Sequence, residues 1–271
     1  MYCEYWGLKE MPFENTPDPR FLYYSPQHQE GLSRMLYVIE QRKGAGMLTG
    51  VYGCGKTVLS RAIFNSLNKN VYQIVFINNP HLKSVEMLRA IARQLGAENL
   101  PEKITEMSTD HFVQVINDIL LNNIKDGRET LVIVDEAHVI EDMEVFEELR
   151  LLLNFQFEER FLLTLLLIGQ PELKERVHKN KQLVQRIAMG YHLEPLGKEE
   201  ISGYIGHRME VVGGKGDIFT QDAVSVIFEN SGGIPRRINQ IADMSLVTGF
   251  AKKQDRIDGR IVKEAVESLG V

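Results

Sequence analysis

Residues 50–57 read Gly50-Val51-Tyr52-Gly53-Cys54-Gly55-Lys56-Thr57, a complete G-x-x-x-x-G-K-[ST] stretch. Gly50, Gly53 and Gly55 let the backbone curl so that successive N–H groups turn inward on a polyphosphate. Lys56 reaches toward the β- and γ-phosphates, and the Thr57 hydroxyl is a ligand for Mg2+. The flanks agree with this reading. Gly46 to Thr49 is a short apolar run that predicts a strand, and Val58 to Leu67 predicts a helix whose N-terminus faces the anion. A Gly-Lys-Thr triplet alone says little, but the full octet between a strand and a helix implies binding of a nucleoside triphosphate through Gly50 to Val58.

The bulk numbers narrow the class. The chain has 271 residues, 44% hydrophobic and 25% charged, enough for one large or two modest domains with a proper core. Its longest strongly apolar run, Phe161 to Ile168, is strand-sized and well short of the ~20 residues of a membrane span. Met1 to Trp6 shows no basic segment leading into an apolar one, so no secretory signal is visible. Two cysteines, Cys3 and Cys54, make no disulfide framework, and a cytoplasmic protein is the simplest expectation. Cys54 stands at a helix N-terminus, where a thiolate is favoured, so it is expected to be sensitive to oxidation or alkylation. A net charge of −6 counts against a protein that coats nucleic acid. The basic cluster Lys252, Lys253, Arg256, Arg260 and Lys263 reads first as a solvated helix end and the face that follows it.

Along the chain, the first 26 residues are rich in aromatics and proline, which predicts an ordered, irregular arm packed on the main domain. Residues 27–195 alternate helices and strands. Helices are predicted at Gln27–Gln41, Ser84–Leu95, His111–Ile124 and Glu144–Leu153, and strands at Val71–Ile77, Leu131–Val134, Leu162–Ile168 and Tyr191–Leu193. Continuous apolar strands between helices imply an α/β fold, a parallel sheet covered by helices on both faces. Residues 196–271 are helical throughout: Lys198–Val212, Thr220–Glu229, Pro235–Ala251 and Asp258–Leu269, punctuated by Gly213-Gly214 and Gly232-Gly233. The expected organisation is an arm, a nucleotide-binding domain and a small helical lid.

The strand Leu131-Val132-Ile133-Val134 runs into Asp135-Glu136. Four apolar residues followed by two acids, downstream of a phosphate loop, suit a first carboxylate that holds a metal and a second that polarises the attacking water. The tetrad Asp135-Glu136-Ala137-His138 spells a helicase box, but the other helicase motifs are absent.

With these motifs in hand the chain resembles the AAA+ ATPases, and more narrowly the ExeA/GspA-type ATPases tied to type II secretion, pilus biogenesis and exosortase loci. The resemblance runs over nearly the whole length. It is carried by Tyr5 to Phe13, Thr16 to Tyr23, Ser25 to His28, the phosphate loop, Asp135-Glu136, Ile168 to Leu173, Gln185-Arg186, Tyr191 to Leu196 and Gly232 to Asn239. It implies ATP and Mg2+ as cofactors, with Lys56, Thr57 and Asp135 as phosphate and metal ligands and Glu136 as base. It also implies Gln170 as a sensor near the attacking water. Arg186 is implied to reach into a neighbouring subunit's site, and Arg236 to sense the γ-phosphate from the lid. Asn78, or Asn79 beside it, falls where similar proteins divert the catalytic glutamate. Tyr24 and His28 lie in the segment set against the adenine.

The resemblance further implies a homo-oligomer, ring or open helix, acting on a partner protein. Secretion-linked relatives often carry a membrane span and a peptidoglycan-binding domain beyond the lid. These residues hold neither, which points to the shorter relatives beside exosortase and polysaccharide-export systems, cytoplasmic and meeting the inner membrane through a partner. A DNA-linked regulator, of transposition or replication-loader type, is disfavoured by the acidic balance and by the lack of a helix-turn-helix tail. A nucleotide-gated scaffold is disfavoured by Glu136 and Arg186.

Overall fold

The computed structural model describes residues 2–98, 100, 108–215 and 217–270. They form two compact units. One holds the residues up to His28, Val51–Leu59 and those from Glu194 onward; the other holds Gln29–Gly50 and Ser60–Leu193. In chain order the helices are α1 (Tyr2–Trp6), α2 (Pro26–Glu40), α3 (Lys56–Ser66), α4 (Ser84–Gln94), α5 (Thr109–Lys125), α6 (Met143–Leu152), α7 (Glu172–His178), α8 (Lys181–Arg186), α9 (Lys198–Val211), α10 (Gln221–Ser231), α11 (Pro235–Ala251) and α12 (Gly259–Leu269). The strands are β1 (Ala45–Gly50), β2 (Tyr72–Ile77), β3 (Glu129–Val134), β4 (Gln156–Phe157), β5 (Arg160–Phe161), β6 (Leu163–Gly169) and β7 (Ile187–Leu193).

The α/β unit is built on a five-stranded sheet of order β2-β3-β6-β1-β7, parallel throughout. Burial explains that order. β1 and β6 are buried at every residue, as the centre of a sheet covered on both faces requires. β2 and β7 are only intermittently buried and form the edges. On one face Val75, Val132, Val134, Leu165 and Leu167 meet Met87, Leu88 and Ile91 of α4, Phe112, Ile116 and Leu120 of α5, and Phe146 and Leu149 of α6. The helical residues recur three and four apart, so one stripe of each helix is spent on the sheet.

The helical unit has its own core, in which Ile201, Tyr204, Ile227, Ile238, Leu246 and Val262 are joined by Trp6, Phe13 and Phe21 of the arm. The arm is thus corrected on two counts: it contains a helix, α1, and its aromatics lie in the core of the helical unit. Polar groups pin it there. Trp6 Nε1 donates to the Leu246 carbonyl at 3.1 Å. The buried Arg208 donates to the Pro12 and Glu14 carbonyls at 2.6 and 2.8 Å, with its guanidinium over Phe21.

Apart from α1, helix and strand types differ from the sequence-based expectation in three places. α7 and α8 span seven and six residues, too short for a helical period to declare itself. The β4–β5 hairpin pairs only two residues per strand. β7 starts at Ile187, not Tyr191, because its first half, with Ala188 and Gly190, offers little apolar signal. No helix among the described residues is long and apolar enough to cross a membrane.

Within the helical unit, the segment before α9 fixes one backbone position tightly. Leu196 N donates to Gly233 O at 2.9 Å. Gly233 has φ +76°, and a Cβ there would fall 2.0 Å from the Leu196 carbonyl oxygen. Gly233→Ala is therefore expected to cost about 2 kcal/mol or more, from strained backbone plus the clash. Urea unfolding measures this, and an unchanged midpoint would refute it.

Candidate functional site

Residues 51–55 join β1 to α3. Gly53 and Gly55 hold left-handed backbone, φ +86° and +94°, which any side chain would strain. Gly53 has a second constraint: a Cβ there would lie 2.9 Å from Arg236 Cβ. Turning N–H groups to one side turns carbonyls to the other, and buried carbonyls need donors. Cys54 N donates to Val51 O at 3.3 Å, Arg236 N to Gly53 O at 3.2 Å, and Leu59 N to Gly55 O at 2.9 Å.

The Cys54 carbonyl is held by a side chain. His28 Nε2 lies 3.1 Å from it, and His28 Nδ1 lies 2.7 Å from Ser25 Oγ. With Nε2 donating to the carbonyl, Nδ1 accepts from the Ser25 hydroxyl, which selects one tautomer. Burial pushes the His28 pKa below the ordinary imidazole value, outweighing the upward pull of the Cys54 carbonyl and Glu200, so the ring is neutral. Both ring nitrogens are engaged in shaping the loop. Tyr24, four residues earlier, is 49% exposed.

Lys56 opens α3, is 5% exposed, and donates from Nζ to Val51 O at 3.0 Å. Thr57 follows it in the first turn, half-buried, with Val58 beside it. Arg236 follows Pro235 at the start of α11, at the positive end of that helix as expected. Its guanidinium stacks 4.8 Å over the Tyr52 ring and donates to the Tyr52 hydroxyl. Cys54 corrects the sequence-based expectation. It is fully buried, and burial pushes its thiol up to about 11 against the opposing pull of Lys56, so no thiolate forms near neutrality.

β3, β6 and β1 are adjacent and parallel, so their C-terminal ends share one edge of the sheet. Gly50 ends β1, Asp135-Glu136 follow β3 and Gln170 follows β6. In such sheets ligands bind outside the carboxyl ends of the strands. Asp135 is 2% exposed. Its N–H donates to Ile77 O at 2.8 Å, its Oδ1 accepts from Glu136 N at 2.9 Å, and its Oδ2 lies 3.5 Å from Ser60 Oγ. A buried carboxylate and a threonine hydroxyl are hard oxygen donors of the kind Mg2+ takes. No group of three or more His, Cys, Asp or Glu among the described residues could hold a metal; Mg2+ completes its shell with waters and phosphate oxygens.

Glu136 sits at φ 54°, ψ 29°, a left-handed conformation costly for a residue with a side chain. Asn78 and Asn79, just past the end of β2, are exposed. What faces the glutamate is His138, whose Nδ1 lies 3.4 Å from Glu136 Oε2. Gln170 Nε2 stands 2.9 Å from His138 Nε2. His138 was not singled out as a site residue from the sequence; its only signal was the fourth place in the Asp135–His138 tetrad. Arg186 ends α8, with Nη2 2.9 Å from Asn154 Oδ1 and its guanidinium 5.7 Å from the Phe161 ring centre.

Residues 39–177 match the AAA domain family. The chain is 38% identical over 275 residues to General secretion pathway protein A of Aeromonas hydrophila, covering 100% of this chain and 49% of that protein. It is 25% identical over 220 residues to an uncharacterized HTH-type transcriptional regulator of Methanocaldococcus jannaschii, covering 79% of this chain and 53% of that one. The chain thus spans about half the length of the curated relatives it matches. Among solved structures, the Aeropyrum pernix ORC2 protein, in ADPNP-ADP complexes, superposes with a TM-score of 0.70 at 17% identity, covering 96% of this chain and 71% of that one. That likeness speaks to the fold.

Two outcomes are expected. In the native protein a thiol reagent should label Cys3 readily and Cys54 only after unfolding; fast native labelling of Cys54 would refute its burial. For His28, a depressed folded pKa means that the unfolded chain binds the proton more readily, so its contribution is present above the ordinary imidazole pKa and is lost as pH falls below it. The unfolding temperature should therefore drop between about pH 7.5 and about pH 5.5 by more in the wild type than in His28→Gln. Equal drops would show that His28 does not carry the effect.

Proposed function

This chain belongs to the AAA domain family of P-loop ATPases and is related to General secretion pathway protein A, and from that premise we propose that it hydrolyses Mg-ATP to drive a conformational change in a partner protein. The observation that carries the reading is the shared sheet edge: Gly50 leads into the phosphate loop at the end of β1, and Asp135-Glu136 follow β3 at the same edge. Lys56 and the loop N–H groups bind the β- and γ-phosphates. Thr57 and Asp135 would each offer a hard oxygen donor to Mg2+, which when bound would neutralise phosphate charge. Glu136 accepts the proton of the attacking water, and Gln170 orients that water. Arg236, at the lid helix N-terminus, leaves Tyr52 for the γ-phosphate and so ties nucleotide state to the lid.

Arg186 leaves Asn154 and Phe161 to neutralise charge on the transferred phosphoryl group of a neighbouring copy, in a ring or open helical oligomer. The relative's name points to a partner in a secretion pathway. We assign the chain to envelope assembly (secretion, pilus or exopolysaccharide/exosortase systems), cytoplasmic and recruited to the inner membrane by that partner. A second reading, a DNA-linked regulator, draws on the HTH-type relative. Against it, Lys252 pairs with Glu264, Arg260 with Asp258, and Arg256 donates to the Asp217 carbonyl.

The test is ATPase activity against protein concentration for wild type, Lys56→Ala, Glu136→Gln and Arg186→Ala, alone and with added DNA. Specific activity should rise with concentration and fall by about a hundredfold or more in the Glu136 and Arg186 variants. Mixing those two variants should restore activity, since one supplies the base and the other the arginine. Flat, negligible turnover in all four would leave a nucleotide-gated scaffold, and stimulation by DNA with steep salt dependence would favour the DNA-linked reading.

A further inference from the structure

We propose that His138 is a positioning residue that couples the Gln170 amide to the Glu136 carboxylate, so that the group touching the attacking water and the group taking its proton move together. The inference rests on the reading of Glu136 as the base. Its support is geometric. Gln170 Nε2 is a donor, so at 2.9 Å it makes His138 Nε2 the acceptor. A neutral imidazole that accepts at Nε2 carries its hydrogen on Nδ1. That Nδ1 is buried without a hydrogen-bond partner, and the carboxylate facing it is Glu136 Oε2 at 3.4 Å. The ring thus offers a donor directly to the base, one short movement from a hydrogen bond.

The ring has little freedom to do anything else. Its turn is closed by Val139 N donating to Glu136 O at 2.9 Å and by Ile140 N donating to Ala137 O at 3.3 Å. Arg176 Nη1 holds the Ile140 carbonyl at 2.5 Å. Gly169 presses from the sheet end, where a Cβ would lie 3.1 Å from His138 N. Glu136 holds left-handed backbone beside this ring, and such strain persists only where surroundings over-determine it. A base oriented by a second group, itself oriented by a third, is the logic of catalytic triads. Here the order is Gln170, His138, Glu136.

The experiment measures kcat and KM for Mg-ATP, binding of a fluorescent ATP analogue, and unfolding temperature. The variants are His138→Ala, His138→Asn, Gln170→Ala and the double His138→Ala/Gln170→Ala. His138→Ala should lower kcat about ten- to a hundredfold with KM and analogue affinity within about threefold. The double variant should lose no more than the worse single, because both interrupt one line. His138→Asn, whose amide can donate from near the Nδ1 position, should recover part of kcat. Wild-type kcat in His138→Ala, or additive losses in the double variant, would overturn the coupling while Glu136-dependent turnover stands. Wild-type turnover that survives Glu136→Gln would overturn the base assignment and the coupling with it.

Discussion

A short loop that turns its N–H groups inward must turn its carbonyls outward, and the molecule has to find donors for them. That constraint organises the whole phosphate-loop region. Val51, Gly53, Cys54 and Gly55 each give up a carbonyl to a donor: an amide of the loop, an amide of the first turn of α11, a histidine of α2, and an amide one turn along α3. Two of these donors come from distant sequence. The start of α2 and the start of α11 therefore hold the loop's shape, one through the His28 side chain and the other through a backbone N–H. Gly53 and Gly55 are needed twice over, for their left-handed φ and because Arg236 and His28 stand where their side chains would be.

The carboxylate end of the sheet works under a different constraint. Asp135 is almost wholly buried, and its oxygens are committed to a backbone N–H and a neighbouring serine hydroxyl. Glu136, next in sequence, takes an unfavourable backbone conformation and stays partly exposed. Two adjacent acids thereby acquire different surroundings, one fixed and dry and the other at the surface beside a histidine. Separation of environment is how a pair of like groups comes to serve two roles.

Much of this was legible in the chain. The octet at 50–57, the apolar run before Asp135 and the helical periods after Pro195 are local signals, carried by neighbours in sequence, and local signals survive without tertiary knowledge. The strands at the centre of the sheet were the easiest, because burial on both faces makes them uniformly apolar. What escaped notice was short or edge-bound: α7, α8, the β4–β5 hairpin and the first half of β7. Each has too few residues, or too mixed an exposure, to show a period. The arm was legible as ordered but not in its destination, since aromatic side chains announce burial without naming the core that receives them.

Cys54 and His28 mark the limit. In sequence, Cys54 is a thiol at a helix N-terminus, a position that favours the thiolate. In the structure burial dominates and raises its pKa, because desolvation depends on atoms from remote segments that no local pattern encodes. His28 read as part of a segment set against a base, and its ring proves to be a clasp on the Cys54 carbonyl. The sequence by itself determined that a phosphate loop, two acids and a helical lid exist, because each is written in contiguous residues with fixed spacing. Only the tertiary structure decided which side chains hold them in place, because hydrogen-bond partners such as His28, Arg236 and His138 are chosen by proximity in space.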